Sequence, residues 1–255
     1  MEWSTYLEHI GADAARLSEL GRMGLEPAVP CCPGWTVRDL IAHVGSVYTQ
    51  KAGIVAEGRI DGQPDRVDAP GDGLVEWYDE SARHLVEVLS AHDPVEPVWT
   101  FYPPDQTVGF WYRRLAHESL IHRIDAEQAH GVASDIDQTL ASDGVDEVLT
   151  RIASGRPSWG TVEFADRVAR LEVPGRSWTV KVGLLSGMSP RSGKDYVDMP
   201  VLELAEAGEL FKTVVSGSAG SMDCWLWGRA GLRDLTVQGD RSIAAALRTV
   251  AKRST

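Results

Sequence analysis

Thr36-Val37-Arg38-Asp39-Leu40-Ile41-Ala42-His43-Val44 opens a helix. Thr36 and Asp39 form a T-x-x-D start signal, a variant of the capping box that satisfies backbone N–H groups at a helix start. The helix is expected over Val37 to Glu57. Upstream, Pro27, Pro30, Pro33 and Gly34 break the chain. Before them, Trp3 to Met23 carries Tyr6, Leu7, Ile10, Ala14, Leu17 and Leu20 at three- and four-residue spacing, the pattern of an amphipathic helix. Downstream, residues 58–72 are a loop rich in Gly, Pro and Asp. A third helix follows over Gly73 to Ser90, with Leu74, Trp77, Tyr78, Leu85, Val88 and Leu89 inward. A proline-containing loop then leads to a fourth helix over Val108 to His130. Four helices of these lengths fit a bundle.

One more helix is expected over Gln138 to Ser154, ended by Gly155-Arg156-Pro157. The pattern then changes. Thr161–Val173 and Arg176–Leu185 are rich in Val, Thr, Phe and Trp, with Pro174-Gly175 between them, which is a hairpin signal. Leu210–Ser216 is a third strand candidate. Ser221–Gly228 and Ser242–Lys252 read as helices, with Leu235-Thr236-Val237 a short strand between them. The fold class is α+β: a helical bundle over residues 1–155, then a small α+β domain over 156–255. Residues 186–209 read as an extended insertion before the third strand.

Composition narrows the function. At 43% hydrophobic and 24% charged, the chain can bury a proper core in either one or two domains. A net charge of −12 argues against nucleic acid and against anionic lipid, which both call for a basic surface. A small anionic substrate stays open, because a few local arginines can hold one against the net field. No apolar run reaches the roughly 18–20 residues of a membrane span, and the first residues lack the basic and apolar regions of a signal peptide. Cys31, Cys32 and Cys224 form no disulfide framework. Together these features predict a cytoplasmic protein.

Glu118 and His122 sit four residues apart on the fourth helix, so both point to nearly the same face. One ion can reach both, and zinc accepts neutral imidazole and carboxylate, with three protein ligands and an open position in catalytic sites. His117 and Glu118 do not begin an HExxH motif, because His117 and His122 are five apart, about 140° round the helix. A third ligand must come from another helix, and His43 is the best candidate. It lies in an apolar stretch where a histidine needs a partner. A carbonyl could be that partner as readily as an ion. Asp125, three residues after His122, could orient its ring or pair with Arg123. His9, His84, His92 and His130 read as surface or helix-end residues. His117 is a spare ligand or a neighbour of the ligands, and Cys31 and Cys32 read as loop packing.

These residues carry a resemblance. The run Cys32-Pro33-Gly34-Trp35 through Val44 resembles the second-helix motif of the mycothiol-dependent maleylpyruvate isomerase family, whose bundle belongs to the DinB-like superfamily. Arg114-Leu115-Ala116-His117-Glu118 with His122-Arg123-Ile124-Asp125-Ala126 resembles its second motif. Trp225-Leu226-Trp227-Gly228-Arg229 and Leu235-Thr236-Val237-Gln238-Gly239-Asp240 resemble the end of its C-terminal domain. The resemblance implies a DinB-like four-helix bundle with zinc, or another divalent metal, on His43, Glu118 and His122. It implies a small α+β domain contributing Arg229 to catalysis, an active site in the cleft between the domains, and mycothiol, an actinobacterial thiol, as cofactor.

Three functions follow from this reading. A metal-held thiolate could add to an electrophilic small molecule, and Arg229 could hold an anionic one. Releasing the thiol after bond rotation is isomerisation; keeping it is S-transfer. A zinc-activated water could instead hydrolyse an amide or ester. A non-catalytic protein could bind a ligand against Trp35, Trp77, Trp99, Trp111, Trp225 and Trp227, although tryptophans in these numbers also serve simple core packing.

Overall fold

The computed structural model describes residues 1–62, 64–206 and 208–254, apart from the side chains at 165, 166 and 254. The chain forms two compact units, Met1–Asp135 and Ile136–Thr255. The division falls ahead of the expected boundary near residue 155. The helix Gln138–Glu147 packs on a later helix, Ala219–Trp227, and so belongs to the second unit.

In the first unit four helices form the bundle: α1 (Trp3–Met23), α2 (Val37–Ala56), α3 (Leu74–Ala91) and α4 (Val108–Ala129). The start of α2 is the capping box read from the sequence: the Thr36 side chain accepts from the Asp39 backbone N–H, and Asp39 accepts from the Thr36 N–H at 2.8 Å. Helices α2 and α3 approach closely because Gly45 leaves room for the Trp77 ring; a Cβ there would collide with it. Ile10, Leu17, Leu20, Leu40, Ile41, Tyr48, Tyr78, Leu85, Leu89 and Trp111 form the core.

Helix α4 is buried around nearly its whole circumference, polar residues included. Several of those residues pair with other elements, as burial demands. Arg123 bonds Asp13 of α1 at 2.7 Å and Glu127 at 2.8 Å, and Arg16 of α1 reaches Glu127 at 3.2 Å. The Tyr48 and Ser119 hydroxyls meet at 2.6 Å, and Ser119 donates to the Leu115 carbonyl. This contact fixes the register of α2 against α4, one residue from Glu118 and five from His43.

The second unit holds α5 (Gln138–Glu147), continued by a π turn (Val148–Ile152), then β1 (Thr161–Val173), β2 (Arg176–Met188), β3 (Asp195–Leu204), β4 (Thr213–Ser216), α6 (Ala219–Trp227), β5 (Thr236–Gln238) and α7 (Arg241–Ser254). The five strands make one mixed sheet in the order β3-β2-β1-β4-β5, with β1 and β4 parallel. The expected hairpin pairs Val173 with Arg176 across Pro174-Gly175, where Gly175 takes φ +79. The stretch 186–209 is chiefly sheet: β3 pairs with β2 along most of its length, Val180 opposite Leu204 and Met188 opposite Asp195. Pro200 and two aspartates hide this strand from a pattern reading. β3 lies at the sheet edge, where a residue without an N–H is tolerated.

Candidate metal centre

Helices α2 and α4 bring His43, Glu118 and His122 together. Each offers one ligand atom, and the three atoms lie within 4.8 Å of one another. His43 Nε2 and His122 Nε2 each stand 3.3 Å from Glu118 Oε1. Ligands about 2.1 Å from a tetrahedral ion stand roughly 3.4 Å apart, so the two histidine–glutamate spacings and the donor set fit a divalent ion such as zinc. His122 is buried, whereas His43 and Glu118 are each about one-fifth exposed in their side chains. The group is therefore closed on one side and accessible on the other.

The two histidines are held differently. His122 Nδ1 is 3.0 Å from Asp125 Oδ2, and Asp125 is fully buried. Of the two roles the sequence allowed Asp125, the structure gives it the orienting one; Arg123 pairs elsewhere. Burial alone would lower the His122 pKa, but the Glu118 and Asp125 carboxylates outweigh it and raise it to about 9. His122 is thus an imidazolium between two carboxylates at neutral pH. Glu118 responds in the opposite sense: burial pushes its carboxyl up, while His122, His43 and Arg114 together pull it well below the usual range. Arg114 Nη2 lies 3.4 Å from Glu118 Oε2, leaving Oε1 to the histidines.

His43 Nδ1 faces a cation. Arg66 Nη2 is 3.0 Å away. A guanidinium only donates, so Nδ1 accepts and the ring carries its proton on Nε2, directed at Glu118. The Trp35 ring lies 5.1 Å from the His43 ring. Trp35, Asp39, Ala42, His43, Ser46 and Arg66 line an open pocket of about 340 Å³.

The other sequence candidates make contacts of their own. His117 is fully buried with its ring edge-on to Tyr6 of α1. His92 and His130 end α3 and α4. Cys31 Sγ reaches Gln128 at 3.2 Å, and Cys32 Sγ lies 3.8 Å from Asp125 Oδ2, so both thiols pack on α4. Of the six tryptophans, Trp111 and Trp225 are core and Trp35 lines the pocket. Arg229 belongs to the second unit, just past α6, where its guanidinium donates to the Trp227 carbonyl at 2.6 Å, a helix-end bond.

Two residues near the group went unread in the sequence. Arg66 sits in the 58–72 loop, where nothing in the pattern marks it. Lys51 does leave a signal: it lies on the apolar stripe of α2 with Val44, Val47, Tyr48 and Val55. It is buried, 2.8 Å from Gln50 Oε1 and 4.9 Å from the Trp111 ring centroid. Burial lowers its pKa to about 8, against the raising effect of Glu118.

A helical bundle with an inward His/Glu/His group, followed by a mixed-sheet α+β unit, defines a two-domain protein whose bundle could hold a divalent ion. The chain belongs to the mycothiol maleylpyruvate isomerase family: the profile of that family's N-terminal domain matches residues 7–127, and the profile of its C-terminal domain matches residues 139–246. Among solved structures, the mycothiol-dependent maleylpyruvate isomerase is similar at 16% identity and TM-score 0.60, covering 93% of each chain. A histidine-to-alanine mutant of that isomerase is similar at 15% identity, with the same TM-score and coverage. At this identity the likeness speaks for the fold. A search of curated proteins found no match.

Proposed function

We propose that this protein is a metal-dependent enzyme that uses mycothiol as cofactor or cosubstrate and joins its sulfur to an electrophilic carbon of a small, anionic molecule. The observation that supports it is the His43, Glu118 and His122 group, three ligand atoms within 4.8 Å presented by two helices. When bound, a divalent ion, zinc by its donor set, keeps a thiol deprotonated near neutral pH.

The chain's own residues do the rest. His43, Glu118 and His122 would hold the ion, with His43 and Glu118 on the accessible side. Asp125 takes the Nδ1 proton of His122 as a hydrogen bond and fixes the ring. Arg114 holds the second Glu118 oxygen away from the ligand position. Arg229 is proposed to hold a substrate carboxylate through a bidentate contact. In the reaction a C–S bond forms at the electrophilic carbon as the double bond opens. Expelling the same thiolate after rotation restores the double bond and gives isomerisation; returning the proton lost by the thiol to the adjacent carbon and keeping the sulfur gives S-transfer.

The test is elemental analysis of wild type, His43→Ala, Glu118→Ala and His122→Ala, together with turnover of a carboxylate-bearing alkene with and without mycothiol. About one zinc per chain in the wild type, lost from each variant, and turnover only with thiol are expected. Turnover without thiol would move the reaction to hydrolysis by activated water. Tight binding of a compound that stays chemically unchanged would make this a binding protein.

A further inference from the structure

The partners of the two histidines are not equivalent. A metal-bound imidazole normally directs its second N–H at an acceptor. His122 has one in Asp125. His43 has a donor instead, the Arg66 guanidinium at 3.0 Å from Nδ1. With Nδ1 accepting, the proton sits on Nε2, the nitrogen that faces Glu118 and would have to ligate. An ion on Nε2 requires a proton on Nδ1, and a donor would then face a donor. Metal ligation by His43 and the Arg66 bond exclude each other.

Arg66 can leave without unfolding its loop. The backbone is pinned to α2 on both sides of it: Gln50 donates to the Pro64 carbonyl at 2.6 Å, and the Ser46 hydroxyl donates to the Val67 carbonyl. Only the side chain has to turn. Arg66 is exposed, and among the described residues it makes this one hydrogen bond and no ion pair. The nearby carboxylate of Asp39 is committed to the Thr36 cap. Lys51 adds a second positive charge, close enough to Arg66 and Glu118 to feel both.

We propose that Arg66 is a further anion-binding residue of this centre, beside the role proposed for Arg229, and that a substrate carboxylate seats in the pocket beside α2, accepting from the Arg66 guanidinium and from the Nδ1–H of metal-bound His43. The carboxylate supplies the acceptor that His43 lacks and the anion that Arg66 lacks. It makes the bundle itself selective for carboxylates, and it rests on the metal centre proposed above.

The experiment is calorimetric titration of succinate into zinc-loaded wild type, Arg66→Met and Arg66→Lys, with zinc content measured on the same samples. Wild type is expected to bind succinate. Arg66→Met should bind it at least about tenfold more weakly with its zinc content unchanged, as expected for loss of a charge-assisted bidentate contact. Arg66→Lys should fall between them, because an ammonium keeps the charge without the fork. Equal succinate affinity in wild type and Arg66→Met, or no succinate binding by zinc-loaded wild type, would overturn the proposal while leaving the centre intact. Absence of zinc from the wild type would remove the centre, and the proposal with it.

Discussion

At the residue scale, the interplay of Glu118, His122 and Asp125 gives the metal-free protein a defined pH response. The His122 pKa lies above its ordinary 6.5, at about 9, so its contribution is full below 6.5 and is lost as pH rises through 9. Glu118 is depressed below its ordinary 4.5, so its contribution is full above 4.5 and is lost as pH falls below that. With metal removed by a chelator, thermal stability should therefore decline from pH 6.5 toward 9, and His122→Gln should flatten that slope. A slope unchanged by His122→Gln would mean that the ring is uncharged at neutral pH. Asp125→Asn keeps the shape but gives His122 a weaker, neutral acceptor. Zinc affinity should fall by about 10- to 100-fold, read by competition with a chromophoric chelator.

At the element scale, the contact of α2 with α3 depends on one missing methyl group. Helix propensity favours Gly45→Ala by about 1 kcal/mol. The Trp77 ring occupies the space that the added Cβ would need, and overpacking costs about 1–3 kcal/mol. Gly45→Ala is expected to lower the melting temperature and to move α2, and with it His43; a rise in melting temperature would show that Trp77 has another position available. Lys51 on the same helix presents the opposite balance. Burying its ammonium costs stability, as its depressed pKa shows. Lys51→Met keeps the stem and removes the charge, so the melting temperature at pH 7 should hold or rise.

At the scale of the whole molecule, the division between Asp135 and Ile136 can be tested with fragments. All three candidate ligands, Asp125 and Arg66 lie in the first unit. A fragment of residues 1–135 should be soluble and helical and should bind zinc. A fragment of residues 1–155 carries α5 and the π turn without α6, leaving Leu140, Ala141, Val145 and Val148 uncovered. It should aggregate more readily in light scattering. Equal behaviour of the two fragments would show that α5 is stable apart from its own unit.

The sequence by itself determined the four bundle helices, the hairpin across Pro174-Gly175 and the pairing of Glu118 with His122. Each is written in local spacing: a start signal, a three- and four-residue apolar rhythm, a two-residue turn, one helical step of four. Membership of the family was legible too, through motifs in both halves. Only the tertiary structure decided the rest. β3 carries a proline and two aspartates, and only its place at the sheet edge makes it a strand. α4 looks polar in sequence yet is buried, because Asp13 and Arg16 of α1 and Tyr48 of α2 satisfy its polar residues across long sequence separations. His43 needed a partner that its own helix could not name. That partner set comes from Glu118, 75 residues away, and from Arg66, 23 residues away in a loop with no periodic pattern. Spacing encodes which side chains share a face of one element; which faces meet is settled by packing.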